Sequence, residues 1–254
     1  MRIYLWIFCL ALALPVSGAE IHFNFSNYPE GTTPTNFTPV LAGTGRPGVW
    51  KIVMGQVPSA FTPFAGQTPE MISRAVLAQT DADPTDERFP MLIYTGETFR
   101  NFKFTTKFKI ISGAVEQLPG VVFRYQNPTN YYVVRASALG NNVRFYKVVN
   151  GVRSDPIGPD VKVTAGDWHT LAVQCEGNQI TFWFDDKLVM PPLGDNSFNE
   201  GRLGFRTKSD TVCQYSDASV DYTPIIRPAQ AVVNRIVEKE TRILGLRIYA
   251  AQTN

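Results

Sequence analysis

Histidine is nearly absent from this sequence. His22 and His169 are the only two among 254 residues, too few to build a His-rich metal centre. Charge is sparse as well: 18% of residues are charged and the formal net charge is +2. That balance lacks the basic excess of proteins held to nucleic acid or anionic membrane surfaces. Zinc-ligand spacings and phosphate-cradling loops do not occur, and no Gly-x-Ser-x-Gly sets a nucleophile on a sharp turn. His169 stands beside Trp168 in a strand-like run and reads as structural rather than as a general base. From Ile21 to Tyr222 no segment sustains a 3.6-residue apolar period, which argues against interleaved helices.

What is present points to an exported β protein. Apolar residues make up 44% of the chain, enough for a packed core, and 12% aromatics with 19 glycines and 18 prolines favour strands joined by turns. Residues 1–19 read as a signal peptide. Met1-Arg2 is a cationic start, Ile3 to Leu14 an apolar run, and Ser17-Gly18-Ala19 supplies the small residues that predict cleavage after Ala19. The run is too short for a membrane span, so the expected destination is secreted or periplasmic. Cleavage would leave Cys175 and Cys213. They either bridge in an oxidising compartment or lie apart as two small buried hydrophobes.

Short β-type runs follow one another from Ile21–Phe25 to Val212–Tyr222, with turn signals such as Gln126-Asn127-Pro128-Thr129 and Asn150-Gly151 between them. Such a succession without helices predicts an all-β fold over 20–223, two antiparallel sheets packed as a jelly-roll sandwich. Pairing Val122 with Val133 and Arg124 with Tyr131 in the hairpin 121–136 puts Val122, Arg124, Tyr131, Val133 and Arg135 on one face. Val121, Phe123, Tyr125, Tyr132 and Val134 then form the core face. The next strand separates Val143 and Phe145 from Arg144 and Tyr146. Arg124, Tyr131, Arg135, Arg144 and Tyr146 are therefore expected to share one open surface, extended by Trp183, Arg206 and Lys208. Tyrosine and tryptophan rings stack on sugar C–H faces, and guanidinium groups fork onto hydroxyls or carboxylates. Solvent-facing arginines whose stems cover apolar surface are the plainer alternative.

Residues 224–254 change character. Pro224 and Pro228 flank a linker, Ala229–Thr241 has the pattern of an amphipathic helix, and Leu244–Ala250 that of a strand. A helix and one strand cannot bury a core alone. The segment either docks on the sandwich or opens a second domain that continues past Asn254.

Three stretches carry a family likeness: GVVFRYQNPTNYYVVRASALGNNVRFYKVVNG (Gly120–Gly151), DWHTLAVQCEGNQITFWFDDKLV (Asp167–Val189) and GRLGFRTKSD (Gly201–Asp210). Their order resembles the concanavalin A-like lectin/glucanase superfamily, in particular its laminin-G-like jelly rolls. It also resembles bacterial secreted domains of the family-16-glycoside-hydrolase-like or 3-keto-disaccharide-hydrolase-like kind. The closing strand is similar to that of family-16 glucanases, where an Asp helps hold a structural calcium ion. That resemblance makes Asp221 a candidate ligand and Asp217 a second. The Glu-x-Asp-x-x-Glu string of family-16 catalysis is missing.

Three roles follow as expectations. The first is a non-catalytic module, working as a monomer without a cofactor, that binds a saccharide on its concave sheet. The second is a hydrolase or lyase on modified sugars, for which Glu116 is the one nameable acid. The third is the ectodomain of a sensory or structural protein.

Overall fold

The computed structural model describes residues 18–59 and 68–225, together with the backbone of 241–243 and 246–248. The chain forms two compact units, Met1–Pro224 and Ile225–Asn254. The first unit opens with β1 (Ala19–Phe23), a 3-10 turn (Phe25–Asn27), β2 (Phe37–Gly43), β3 (Trp50–Pro58) and β4 (Met71–Gln79). It continues through β5 (Arg88–Tyr94), β6 (Phe102–Ser112), β7 (Gly120–Asn127), β8 (Asn130–Ser137), β9 (Asn142–Val149) and β10 (Val152–Arg153). β11 (Trp168–Glu176), β12 (Gln179–Phe184), β13 (Lys187–Leu188), β14 (Leu193–Gly194), β15 (Arg202–Arg206) and β16 (Val212–Tyr222) complete it.

These strands form two antiparallel sheets, and the fold is the expected all-β sandwich. Sheet A runs β13-β12-β11-β6-β16-β4-β3, with β1 also on β16 and β14 on β12. Sheet B runs β10-β9-β8-β7-β15-β5-β2. β6 shows how the sequence dictates its place. Phe102, Phe104, Thr106, Phe108 and Ile110 point inward, while Lys103, Lys107 and Lys109 alternate with them toward solvent. The inner faces of both sheets meet in one aromatic core that includes Phe104, Phe108, Phe123, Phe145, Phe182 and Phe205. Its rings meet tilted or edge-on, apart from the stacked pair Phe145–Phe182 at 5.3 Å.

β16 serves two partners on one side by bending. Its first part pairs with β4 and its last part with β1, and the register on β6 slips between Ser216 and Ser219. Asp217 sits in this bulge with φ +47°.

Several expectations are corrected. β2 was not foreseen: Pro39 interrupts its alternation, and Pro is tolerated there because β2 is an edge strand. A Cys175–Cys213 bridge is ruled out. Cys175 lies opposite Phe102 on one side of β6 and Cys213 opposite Ile110 on the other. A stretch of β6 of about 26 Å separates the two levels, and both thiols are free and buried. In the second unit, β17 (Thr241–Ile243) and β18 (Leu246–Ile248) form an antiparallel hairpin. The strand expected over 244–250 is thus present in its centre. The helix expected over 229–241 lies outside the described residues except at Thr241, which belongs to a strand, so a C-terminal helix is not supported. Residues 1–17 of the signal segment also lie outside the described residues, whereas Ala19 opens β1 opposite Tyr222.

Candidate functional site

The two outer faces of the sandwich differ in kind. Sheet A presents lysines and small polar residues, as a face exposed to water does. Sheet B breaks that rule, because β5, β7 and β8 are buried along nearly their whole length on both faces. The outer face of sheet B carries a second apolar cluster in which Phe89, Met91, Ile93, Val122 and Val133 pack with Tyr125, Tyr131, Tyr146 and Val148.

An arginine row borders this cluster. Arg206 on β15 lies opposite Gly120 on β7, Gly120 opposite Arg135 on β8, and Arg135 opposite Arg144 on β9. The Arg206 guanidinium is 1% exposed. It lies 4.4 Å from the Phe89 ring centroid and 5.5 Å from that of Tyr146. Burial raises the pKa of the Tyr131 phenol, an effect opposed by the Arg206 charge. Arg135 donates to the Asn142 side-chain carbonyl, and burial pulls its pKa below the usual arginine value. Arg144 binds Asp160 at 2.6 Å and the Gly158 carbonyl at 2.6 Å.

Glu116 stands at the end of the row. Its loop is clipped to Asp210, whose carboxylate accepts from the backbone N–H groups of Ala114, Val115 and Glu116 at 2.6 to 3.0 Å. The Glu116 carboxylate pairs with Lys208 at 2.8 Å, and Lys208 also holds Asp86 at 2.7 Å. Tyr131, Arg135, Arg144, Tyr146 and Arg206 therefore share one face, with Lys208 and Glu116 beside it.

Two expected members do not belong. Arg124 is drawn away by a bulge: it has φ +46°, and the β7–β8 register breaks after Phe123. Its fully buried guanidinium donates to the carbonyls of Phe198, Arg100 and Gly177, tying three loops together rather than facing a ligand. Trp183 lies on β12 of sheet A, on the opposite outer face, with the Lys103 ammonium 5.1 Å from its ring. Parity alone tells inward from outward but not which sheet a strand joins.

The sequence reading also missed members. Tyr125 was expected in the core, yet the bulge at Arg124 turns it outward, 6.2 Å from Tyr131 between ring centroids. Phe89 belongs to a strand that is apolar on both faces, which hides any alternation.

The calcium expectation does not fit. Asp217 is occupied by Arg74 and by Lys107 at 3.0 Å. Asp221 is exposed and lies between Glu20 and Lys103 in register. Among the described residues no three His, Cys, Asp or Glu side chains gather as a metal site.

A solved structure shares this architecture. The carbohydrate-binding module CBM66 from Bacillus subtilis superposes with a TM-score of 0.50 at 18% identity, over 67% of this chain and 94% of that one. A putative glycosyl hydrolase from Parabacteroides distasonis ATCC 8503 gives 0.43 at 15% identity, over 57% of this chain and 85% of that one. No curated protein matches the sequence. The profile of the 3-keto-alpha-glucoside-1,2-lyase-like domain matches residues 49–218, a span that runs from the start of β3 into β16 and takes in every strand of sheet B except the edge strand β2. The chain belongs to that family of sugar-related β-sandwich domains.

Proposed function

We propose that the outer face of sheet B binds a saccharide, and that the chain does so as a secreted or periplasmic monomer. One observation carries the reading: this face, unlike that of sheet A, is built of tyrosines and arginines over an apolar floor. Aromatic faces accept the C–H surface of a sugar ring, and guanidinium edges donate to its hydroxyls. A ring would rest on the half-buried Arg135 and the exposed Arg153 and Arg202, with the buried Tyr131 and Tyr146 as the floor beneath them. Family membership and the module-like fold support a carbohydrate ligand. The test is binding to a glycan array by wild type, Tyr146→Ala and Trp183→Ala. Tyr146→Ala should lose binding and Trp183→Ala should keep it. The opposite pattern overturns the assignment.

A second reading, turnover, is favoured by the family description and by the placement of Glu116. The Asp210 clip fixes the Glu116 backbone and Lys208 holds its carboxylate next to the arginine row, where a general acid or base would be held for a bound sugar. Turnover of a 3-keto-glucoside, abolished in Glu116→Gln while binding persists, would establish this role. Equal turnover by wild type and Glu116→Gln would remove it.

A further inference from the structure

The arginine row contains an imbalance that a neutral sugar would not resolve. Arg144 has Asp160 as its acid partner, and Lys208 has Glu116 and Asp86. Arg206 and Arg135 have no carboxylate within ion-pair distance among the described residues. In Arg206 the Nε and Nη1 atoms are buried without a hydrogen-bond partner. Stacking against Phe89 and Tyr146 does not explain them, because an aromatic ring covers the flat face of a guanidinium while its N–H groups point outward in the plane. Buried charged donors are ordinarily paired.

Gly120 places no side chain of its own between the two cations. A Cβ at Gly120 would lie 2.8 Å from Cβ of Arg135 and 2.6 Å from the Val134 carbonyl oxygen. Tyr131 shares the Arg135 side of β8, and the Arg206 charge opposes the burial that raises its phenol's pKa. Two guanidinium groups thus flank Gly120, one of them with buried donors left unpaired and neither with an acidic partner among the described residues.

We infer that the saccharide taken by this face carries a carboxylate, as a hexuronate does, seated between Arg206 and Arg135. The inference rests on the saccharide-binding reading and specifies its ligand class. A carboxylate presents two in-plane acceptors to donors of this kind and neutralises a charge left unpaired in the free protein. Ketone and hydroxyl groups offer the same donors weaker, uncharged acceptors.

Isothermal titration of the full exported chain with trigalacturonate, triglucuronate and trimannuronate, each beside its methyl ester, tests the inference. The ester keeps the ring and removes the charge. At least one acid should bind roughly ten- to a hundredfold more tightly than its ester, and Arg206→Gln and Arg135→Gln should each erase most of that difference. Thermal melts establish that each variant is folded. Should one variant not fold, the other still decides. Equal binding of acid and ester, with both weakened in Tyr146→Ala, overturns the carboxylate and leaves the saccharide reading standing. Tighter binding of a sulfated trisaccharide than of every uronate also overturns it. No binding of any acid, ester or neutral glycan removes both readings.

Discussion

Arg206 and Arg135 face each other across Gly120, each paired with it from a different neighbouring strand. Two cations so placed repel one another, and burial strengthens the repulsion by removing the water that would screen it. The relationship is held by the sheet rather than by the side chains themselves. Tyr215 reinforces it from below, where its hydroxyl donates to the Gly120 and Arg206 carbonyls at 3.1 and 2.7 Å.

The glycine is therefore a sensitive point. In Gly120→Ala the new methyl group meets the Val134 carbonyl oxygen at 2.6 Å, a backbone atom that cannot swing aside. Chemical denaturation should report a loss of about 1–3 kcal/mol, and ligand affinity should fall because Arg135 is displaced. Unchanged stability would mean that β8 can move away from β7 at Gly120 without cost.

Arg124 should behave in the opposite manner, as a residue of stability rather than of binding. Arg124→Met keeps much of the volume but removes the donors to the Phe198, Arg100 and Gly177 carbonyls. A loss of about 2–4 kcal/mol is expected from those unpaired groups, with saccharide affinity preserved in the folded fraction. A selective loss of affinity at unchanged stability would return Arg124 to the binding face.

The same residue marks where the sequence stopped being legible. Strict alternation placed β6 correctly, and the pairing of Val122 with Val133 holds in the structure. Beyond Phe123 the bulge adds chain without any local turn signal, since Arg124 itself adopts φ +46°. The residue that makes room is Gly201, far along the chain, where a Cβ would fall 2.3 Å from the Arg124 carbonyl carbon. At the end of β7 the bulge changed the facing of the strand, which turned Tyr125 outward and Arg124 inward. Tyr131, Arg135, Arg144, Tyr146 and Arg206 kept their expected side because their strands carry no bulge between them and the pairing that fixed their parity. Trp183 failed for another reason, the assignment of β12 to sheet A, which depends on long-range order that spacing does not encode.

The cysteines give a chemical check on that order. Burial pushes both the Cys175 and Cys213 thiols up to about 12, so neither supplies thiolate at neutral pH. A thiol reagent such as Ellman's should leave both unmodified in the native protein and label both after unfolding in guanidinium without reductant. Recovery of a Cys175–Cys213 disulfide from the native protein would require β11 and β16 to be rearranged about β6.

Stability should plateau in the neutral range and fall on both sides, for different reasons. Burial pushes the Asp195 carboxyl up, but hydrogen bonds from Lys147 and Tyr132 outweigh it and hold its pKa below the usual value. Burial likewise opposes the backbone donors at Asp210 and the Arg74 and Lys107 contacts at Asp217, and each carboxyl again ends below its ordinary value. A lowered folded value makes the ionised form part of the native state. The contribution is thus complete above about pH 4, the ordinary carboxyl value, and is lost as pH falls through the folded values. At the alkaline end the sign reverses: Tyr132 is raised to about 12, chiefly by burial and then by its bond to Asp195. Its contribution is complete below about pH 10 and drains away as pH rises toward the folded value, while the two buried thiols begin to act nearer pH 9. Melting temperatures measured from pH 3 to 11 should be level between about pH 5 and 8 and decline at each end. Asp195→Asn should lower the plateau and flatten the acid limb, because the group that titrates there is gone while its partners remain. An acid limb as steep in Asp195→Asn and Asp210→Asn as in wild type would place the responsible carboxylates elsewhere and leave the Tyr132–Asp195–Lys147 clasp without a part in acid stability.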